Sequence, residues 1–247
     1  MDEQHLFRRR NLPHWDVPGA VYFVTSCLDG SIPAEGLLDL QQYQDQLNQR
    51  PTPVGMPRDE WERQIWKLRF ARFDGWLDDK PACKHLEDKR LAREVADACY
   101  FFAGERYDLL AYCVMPSHIH WVFQPRDEWV KSLPVEERVR SPRERIMHSL
   151  NRHTAKECNR LLGVTGTFWQ HESYDHWVRD LDELERIIAY IENNPVKAGL
   201  VSRKEDWEYS SAHDRIKFAI ATGPLLKPDA HKLETCATVA QVSNVCG

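Results

Sequence analysis

The chain has no surplus of positive charge. Its 247 residues carry 33 Lys and Arg against 38 Asp and Glu, a formal net charge of −5. No global basic field therefore draws it to nucleic acid, and any such attraction has to come from local patches. Paired cysteines are missing as well. Cys27, Cys83, Cys99, Cys113, Cys158, Cys236 and Cys246 are odd in number, widely spaced and form no Cys-x-x-Cys. That pattern argues against a disulfide frame or a zinc knuckle and for free thiols in a reducing compartment. No apolar run approaches the length of a membrane helix, and no apolar segment backs the charges of the first residues. The expectation is a cytoplasmic protein with no signal peptide and no membrane partner. Internal repeats are absent too.

What is present is core-forming material. Hydrophobic residues make up 42% of the chain, with nine Trp, enough for one sizeable domain with appendages. Residues 1–222 read as that domain, with 29–82 as a helical insertion and 223–247 as a flexible C-terminal tail. Residues 20–28, AVYFVTSCL, have the β-branched and aromatic content of a first strand. Within the insertion, 39–49 reads as a short helix and 59–77 as a longer one, its Trp61, Ile65, Leu68, Phe70 and Phe73 giving an apolar face. Residues 85–104 follow as an amphipathic helix, and 127–134 as a loop. Ser141, Pro142 and Glu144 carry the signature of a capped helix start over 141–162. That helix gathers Arg143, Arg145, Arg152, Lys156 and Arg160, the densest basic face in the chain. A solvated surface and a surface that tracks a DNA backbone both explain it. The same two readings apply to Arg8, Arg9 and Arg10.

Residues 107–125, YDLLAYCVMPSHIHWVFQP, read as two strands around a Pro turn. Strand alternation puts His118 and His120 on one face, about 7 Å apart, with Ile119, Trp121 and Phe123 on the other. Two such imidazoles can share a divalent metal. A structural pair explains the two residues alone equally well. Asp180 opens a further helix with Glu183 as capping-box partner, expected to stop at Asn194-Pro195. Tyr190 and Asn194 lie four apart and share a face on its last turn. A metal-binding His pair with a nearby Tyr is one way to cut DNA: the Tyr hydroxyl attacks a polarised phosphate and stores the bond as a phosphotyrosine. Asn194 is placed to be a third metal ligand through its side-chain oxygen.

Three segments then carry a family resemblance. AYCVMPSHIHWVF resembles the His-hydrophobic-His strand of the HUH nucleases. GTFWQHESYDHWVRD and LERIIAYIENNPVKAGLV are similar to the approach to, and the body of, the catalytic helix of IS200/IS605-type single-tyrosine transposases, the REP-associated tyrosine transposases among them. AVYFVTSCL and WEYSSA fit the same pattern, so the resemblance covers roughly residues 15–212. It implies an α+β fold, a ferredoxin-like antiparallel sheet with helices packed on one face. It also implies cleavage and rejoining of single-stranded DNA at hairpin-forming repeats, with Mg²⁺ or Mn²⁺, a 5′-phosphotyrosine and a free 3′-hydroxyl. Carried over by position, His118, His120 and Asn194 would be metal ligands and Tyr190 the nucleophile. Arg143, Arg152 and Lys156 are the expected DNA contacts. The partner would be single-stranded or hairpin DNA, bound by a monomer or a homodimer. The alternative is a hairpin-DNA-binding regulator without catalysis. Three features depart from the pattern: the length of 29–82, the acidic balance, and Tyr174 with His176 as a rival nucleophile segment.

Overall fold

The computed structural model describes residues 6–9, 13–134, 140–171 and 173–215. The expected tail, 223–247, lies outside them, as do Arg10 and the side chains of Arg8 and Arg9. A two-stranded ribbon of β1 (Leu6–Arg9) and β2 (Pro13–Asp16) comes first. Strand β3 (Val21–Cys27) is followed by α1 (Ala34–Asn48), α2 (Arg58–Asp79) and α3 (Lys89–Phe101). Next come β4 (Tyr107–Val114), β5 (His118–Pro125), α4 (Asp127–Ser132), α5 (Pro142–Leu162), β6 (Tyr174–Val178) and α6 (Leu181–Lys197). The main sheet runs β4-β5-β3-β6, with every neighbouring pair antiparallel. Without the insertion this is a βαββαβ unit, the ferredoxin-like arrangement that the resemblance implies.

Alternation along the strands sorts two cores. Tyr22, Val24, Trp121 and Phe123 face α3 and α5, meeting Leu91, Val95, Ile146, Leu150 and Cys158. These are the two crossover helices, on one face as expected. Phe23, Val122 and Cys113 point the other way, against Phe70, Phe73 and Leu77 of α2 and Leu184 and Ile191 of α6. The insertion and the last helix thus roof the second face. Gly36 lets the insertion close on itself: a Cβ there would stand 2.9 Å from both Ile32 and the Trp76 ring.

Helix ends follow local chemistry. Ser141 accepts from the Glu144 amide while the Glu144 carboxylate accepts from the Ser141 amide, the expected capping box. Gly163, at φ 68°, closes α5 in the left-handed region. Three expectations need correction. Residues 127–132 form a short helix, α4, where a loop was expected. Glu183 does not complete a box with Asp180. The Asp180 side chain accepts from the Glu183 amide, but the Glu183 carboxylate turns to the Arg179 amide and His176. Finally, α6 does not stop at Asn194. It carries Pro195 inside its final turn and runs on to Lys197, forgoing the one bond that residue's amide would donate while the Asn194 and Pro195 carbonyls accept from the Ala198 and Leu200 amides.

Candidate active site

The paired histidines open β5, opposite Cys27 and Thr25 of β3. Both rings are fully buried, at 0% exposure, beneath α2. Hydroxyl groups fix them from behind. The Ser117 hydroxyl donates to the Leu77 carbonyl at 3.0 Å, so its oxygen accepts from His118 Nδ1 at 2.9 Å. That leaves His118 Nε2 as a bare lone pair. Burial first, then the charge of His120, holds the His118 pKa well below its usual value, which keeps that ring neutral. Thr25 Oγ1 lies 2.7 Å from His120 Nδ1. The two Nε2 atoms face each other at 3.0 Å.

A third group closes the cluster, and it comes from the insertion. Asp74 of α2 is 2% exposed and places Oδ1 3.3 Å from His120 Nε2. Burial would raise its carboxyl, but the neighbouring imidazoles outweigh burial and hold it well below the carboxylate range. Facing lone pairs and a carboxylate repel unless something positive lies among them, either a proton on His120 or a cation. Asp74 Oδ1, Asp78 Oδ1 and Asn194 Oδ1 are all buried without a hydrogen-bond partner among the described residues. Asp74, His118 and His120 offer ligand atoms within 4.8 Å of one another, so this group could hold a metal ion.

Helix α6 supplies the rest. Tyr190, Asn194 and Lys197 recur at helical spacing and share one face. The Tyr190 ring lies 5.6 Å from the His120 ring and edge-on to Phe23 and Phe70, at 6.4 and 5.7 Å. Its hydroxyl accepts from Asn194 Nδ2 at 3.5 Å. Burial, then the carboxylates of Asp74 and Asp78, push the phenol far above its ordinary pKa. Lys197 Nζ reaches Asp74 at 3.2 Å and Asp78 at 2.8 Å. Burial disfavours its charge, but the two carboxylates overcome this and raise its pKa.

His118, His120, Tyr190 and Asn194 are therefore brought to one region, as their spacing anticipates. The rival Tyr174 is buried on β6; its hydroxyl donates to the Trp66 carbonyl at 3.1 Å and its ring stacks on Phe73. His176 stacks on Trp66 and pairs with Glu183 at 3.1 Å. Arg143 does not share an exposed face with Arg152 and Lys156. It is 3% exposed, ion-paired with Asp175 and set over the Tyr22 ring, whereas Arg152 and Lys156 are exposed. Sequence reasoning missed Asp74, Asp78 and Lys197. A signal for Asp74 exists: an acid inside the stripe Phe70, Phe73, Leu77, where an apolar residue belongs.

The phenol also borders a cavity of about 470 Å³ lined by Arg186, Asn193, Lys197 and Lys204. No family model matches the chain. A Haemophilus influenzae protein provisionally named a REP-associated tyrosine transposase is 30% identical over 120 residues, 46% of this chain and 64% of that protein. The Escherichia coli K12 REP-associated tyrosine transposase is 26% identical over 109 residues, 43% of this chain and 55% of that protein. Each match thus spans less than two thirds of the curated relative. A solved structure of a REP-associated tyrosine transposase bound to a REP hairpin aligns over 92% of both chains, at a TM-score of 0.45 and 16% identity.

Proposed function

We propose that this chain, related in sequence to the REP-associated tyrosine transposases, cleaves and rejoins single-stranded DNA at hairpin-forming repeats through Tyr190. The observation that carries the reading is the meeting of the Tyr190 phenol with the Asp74–His118–His120 cluster. Asp74, His118 and His120 would hold a divalent metal, with the unpartnered oxygen of Asn194 as a further donor. When bound, the metal would offset charge building on the phosphate oxygens.

In this reading the phosphodiester enters by the cavity beside Tyr190, where Arg186, Lys197 and Lys204 offset its charge. The Tyr190 hydroxyl gives up its proton as its oxygen attacks phosphorus and forms a new P–O bond. The bond to the 3′ oxygen breaks, and that oxygen takes a proton and leaves as a free 3′-hydroxyl. The 5′ phosphate remains on the tyrosine until a 3′-hydroxyl reverses the step. Neutral His118 keeps its lone pair available throughout, because Ser117 fixes its proton on Nδ1. Arg152 and Lys156, exposed on α5, are proposed phosphate contacts away from the chemistry.

The test is incubation with labelled hairpin DNA and Mn²⁺. A covalent protein–DNA adduct forms with the wild-type chain and is lost in Tyr190→Phe, while DNA binding is retained. Cleavage that persists in Tyr190→Phe would mean that water, not the phenol, attacks. A second reading, hairpin binding without cleavage, draws on the full burial of both imidazoles under α2. Binding with no adduct from the wild-type chain would decide for it.

A further inference from the structure

Two acids of α2, Asp74 and Asp78, lie four residues apart and so share one face. Like charges at that spacing repel, and the Lys197 ammonium offsets the repulsion, 3.2 Å from Asp74 Oδ2 and 2.8 Å from Asp78 Oδ2. The two bonds differ in what else claims each carboxylate. Asp74 turns its other oxygen, Oδ1, to His120 at 3.3 Å and belongs to the Asp74–His118–His120 group that could hold a metal ion. Asp78 lies outside that group, and its Oδ1 is buried with no hydrogen-bond partner among the described residues. A metal ion on one oxygen of Asp74 and an ammonium on the other draw on a single negative charge and repel each other. Asp78 has no second claimant and a spare oxygen to offer.

The ammonium is also the movable partner. The Lys197 side chain is 52% exposed, whereas both acids are almost sealed. Its Nζ lies 5.8 Å from the centre of the Tyr190 ring, and the residue lines the cavity beside that phenol with Arg186 and Lys204. An ammonium has three protons to donate. Released by Asp74 and still held by Asp78, it stays at the cavity wall with a proton free for a phosphate oxygen.

We infer that Lys197 and a divalent metal compete for Asp74, and that Asp78 keeps the displaced ammonium beside Tyr190, so that metal entry hands Lys197 to the DNA phosphate. Asp78 is then a positioning residue that acts through Lys197. The inference rests on the reading of the chain as one that cuts DNA with a metal. Its first measurement needs neither DNA nor cleavage, so the two can fail separately.

Mn²⁺ binding to the full chain is measured by calorimetry without DNA. Lys197→Met binds Mn²⁺ about tenfold tighter. Asp78→Asn binds it about tenfold weaker, because the ammonium falls back on Asp74, and costs less than about threefold once Lys197→Met is also present. Lys197→Gln, uncharged but still able to hydrogen-bond both acids, guards against a folding defect and gives the same gain. An unchanged or weaker affinity in both Lys197 variants, or an equal cost of Asp78→Asn in the two backgrounds, overturns the competition. The handover is read by anisotropy with labelled hairpin DNA in the Tyr190→Phe background. Adding Lys197→Met weakens DNA binding by about tenfold in saturating Mn²⁺ and by less than about twofold without metal. Equal losses in the two conditions overturn the handover. Adduct formation by the wild-type chain is read separately: an intact cycle without an adduct removes the cleavage reading and supports the competition. No Mn²⁺ binding by the wild-type chain overturns both.

Discussion

Each imidazole of the pair has a hydroxyl at its back and its Nε2 turned to its neighbour. That arrangement fixes the orientation of two rings that, with Asp74, could hold a metal ion. Asp74→Ala removes the carboxylate and leaves Lys197 with Asp78 alone. It weakens Mn²⁺ binding by at least about tenfold, read by calorimetry; undiminished affinity would exclude Asp74 from the ligand set. Glu183 sets a pH dependence of its own. Burial pushes its carboxyl up, but His176 and the Arg179 amide dominate and bring it down to about 2 from 4.5. A depressed carboxyl stabilises the fold above its unfolded value, and the contribution fades as pH falls from about 4.5 towards 2. The full contribution is on the order of 3 kcal/mol. Glu183→Gln is therefore less stable near neutrality and loses less on acidification, and parallel stability curves for the two proteins would refute this. At this scale the sequence was legible where spacing alone decides. Period two paired His118 with His120, and a helical turn paired Tyr190 with Asn194. Asp74 was not legible, because its partners lie 44 and 46 residues along the chain and only the folded insertion brings them together.

Among the elements, α5 follows its sequence most closely, from the Ser141 box to the Gly163 cap. Ser141→Ala costs about 1 kcal/mol of stability, seen in denaturant unfolding, since two terminal amides lose partners. Helix α2 is held by its apolar stripe. Leu77, 1% exposed, also lends its carbonyl to the Ser117 hydroxyl that sets the His118 tautomer. Leu77→Ala costs about 2–5 kcal/mol by leaving a cavity. The measurement is the shift in urea midpoint at constant slope. A shift below about 1 kcal/mol would show that α2 is not seated on the sheet. The end of α6 misled the sequence reading for a definite reason. Pro195 argues for a stop, yet it costs the helix one donated bond while the carbonyls of Asn194 and Pro195 still find the Ala198 and Leu200 amides, so the helix continues and Lys197 arrives under Tyr190.

For the molecule as a whole, the acidic balance and the proposed DNA partner are reconciled by where the cations sit. Arg186, Lys197 and Lys204 border one cavity, and Arg140 and Arg152 border another on the opposite face. The logarithmic dependence of DNA affinity on salt should thus flatten by about 0.7 for each of Arg152 and Lys204 removed, and additively for both. An unchanged slope in the double variant would place the DNA elsewhere. The ferredoxin-like antiparallel sheet was implied by the family resemblance. The roof over its second face was not, since nothing in residues 29–82 announces which surface they cover.

One ammonium group grips two carboxylates a helical turn apart on α2 while sitting at the end of α6. A protein engineer who trims residues 29–82 to make a smaller chain removes both acids in one cut. The shortened chain keeps Tyr190 but strands Lys197 and opens the imidazoles to water, so it needs a replacement acid grafted onto the sheet.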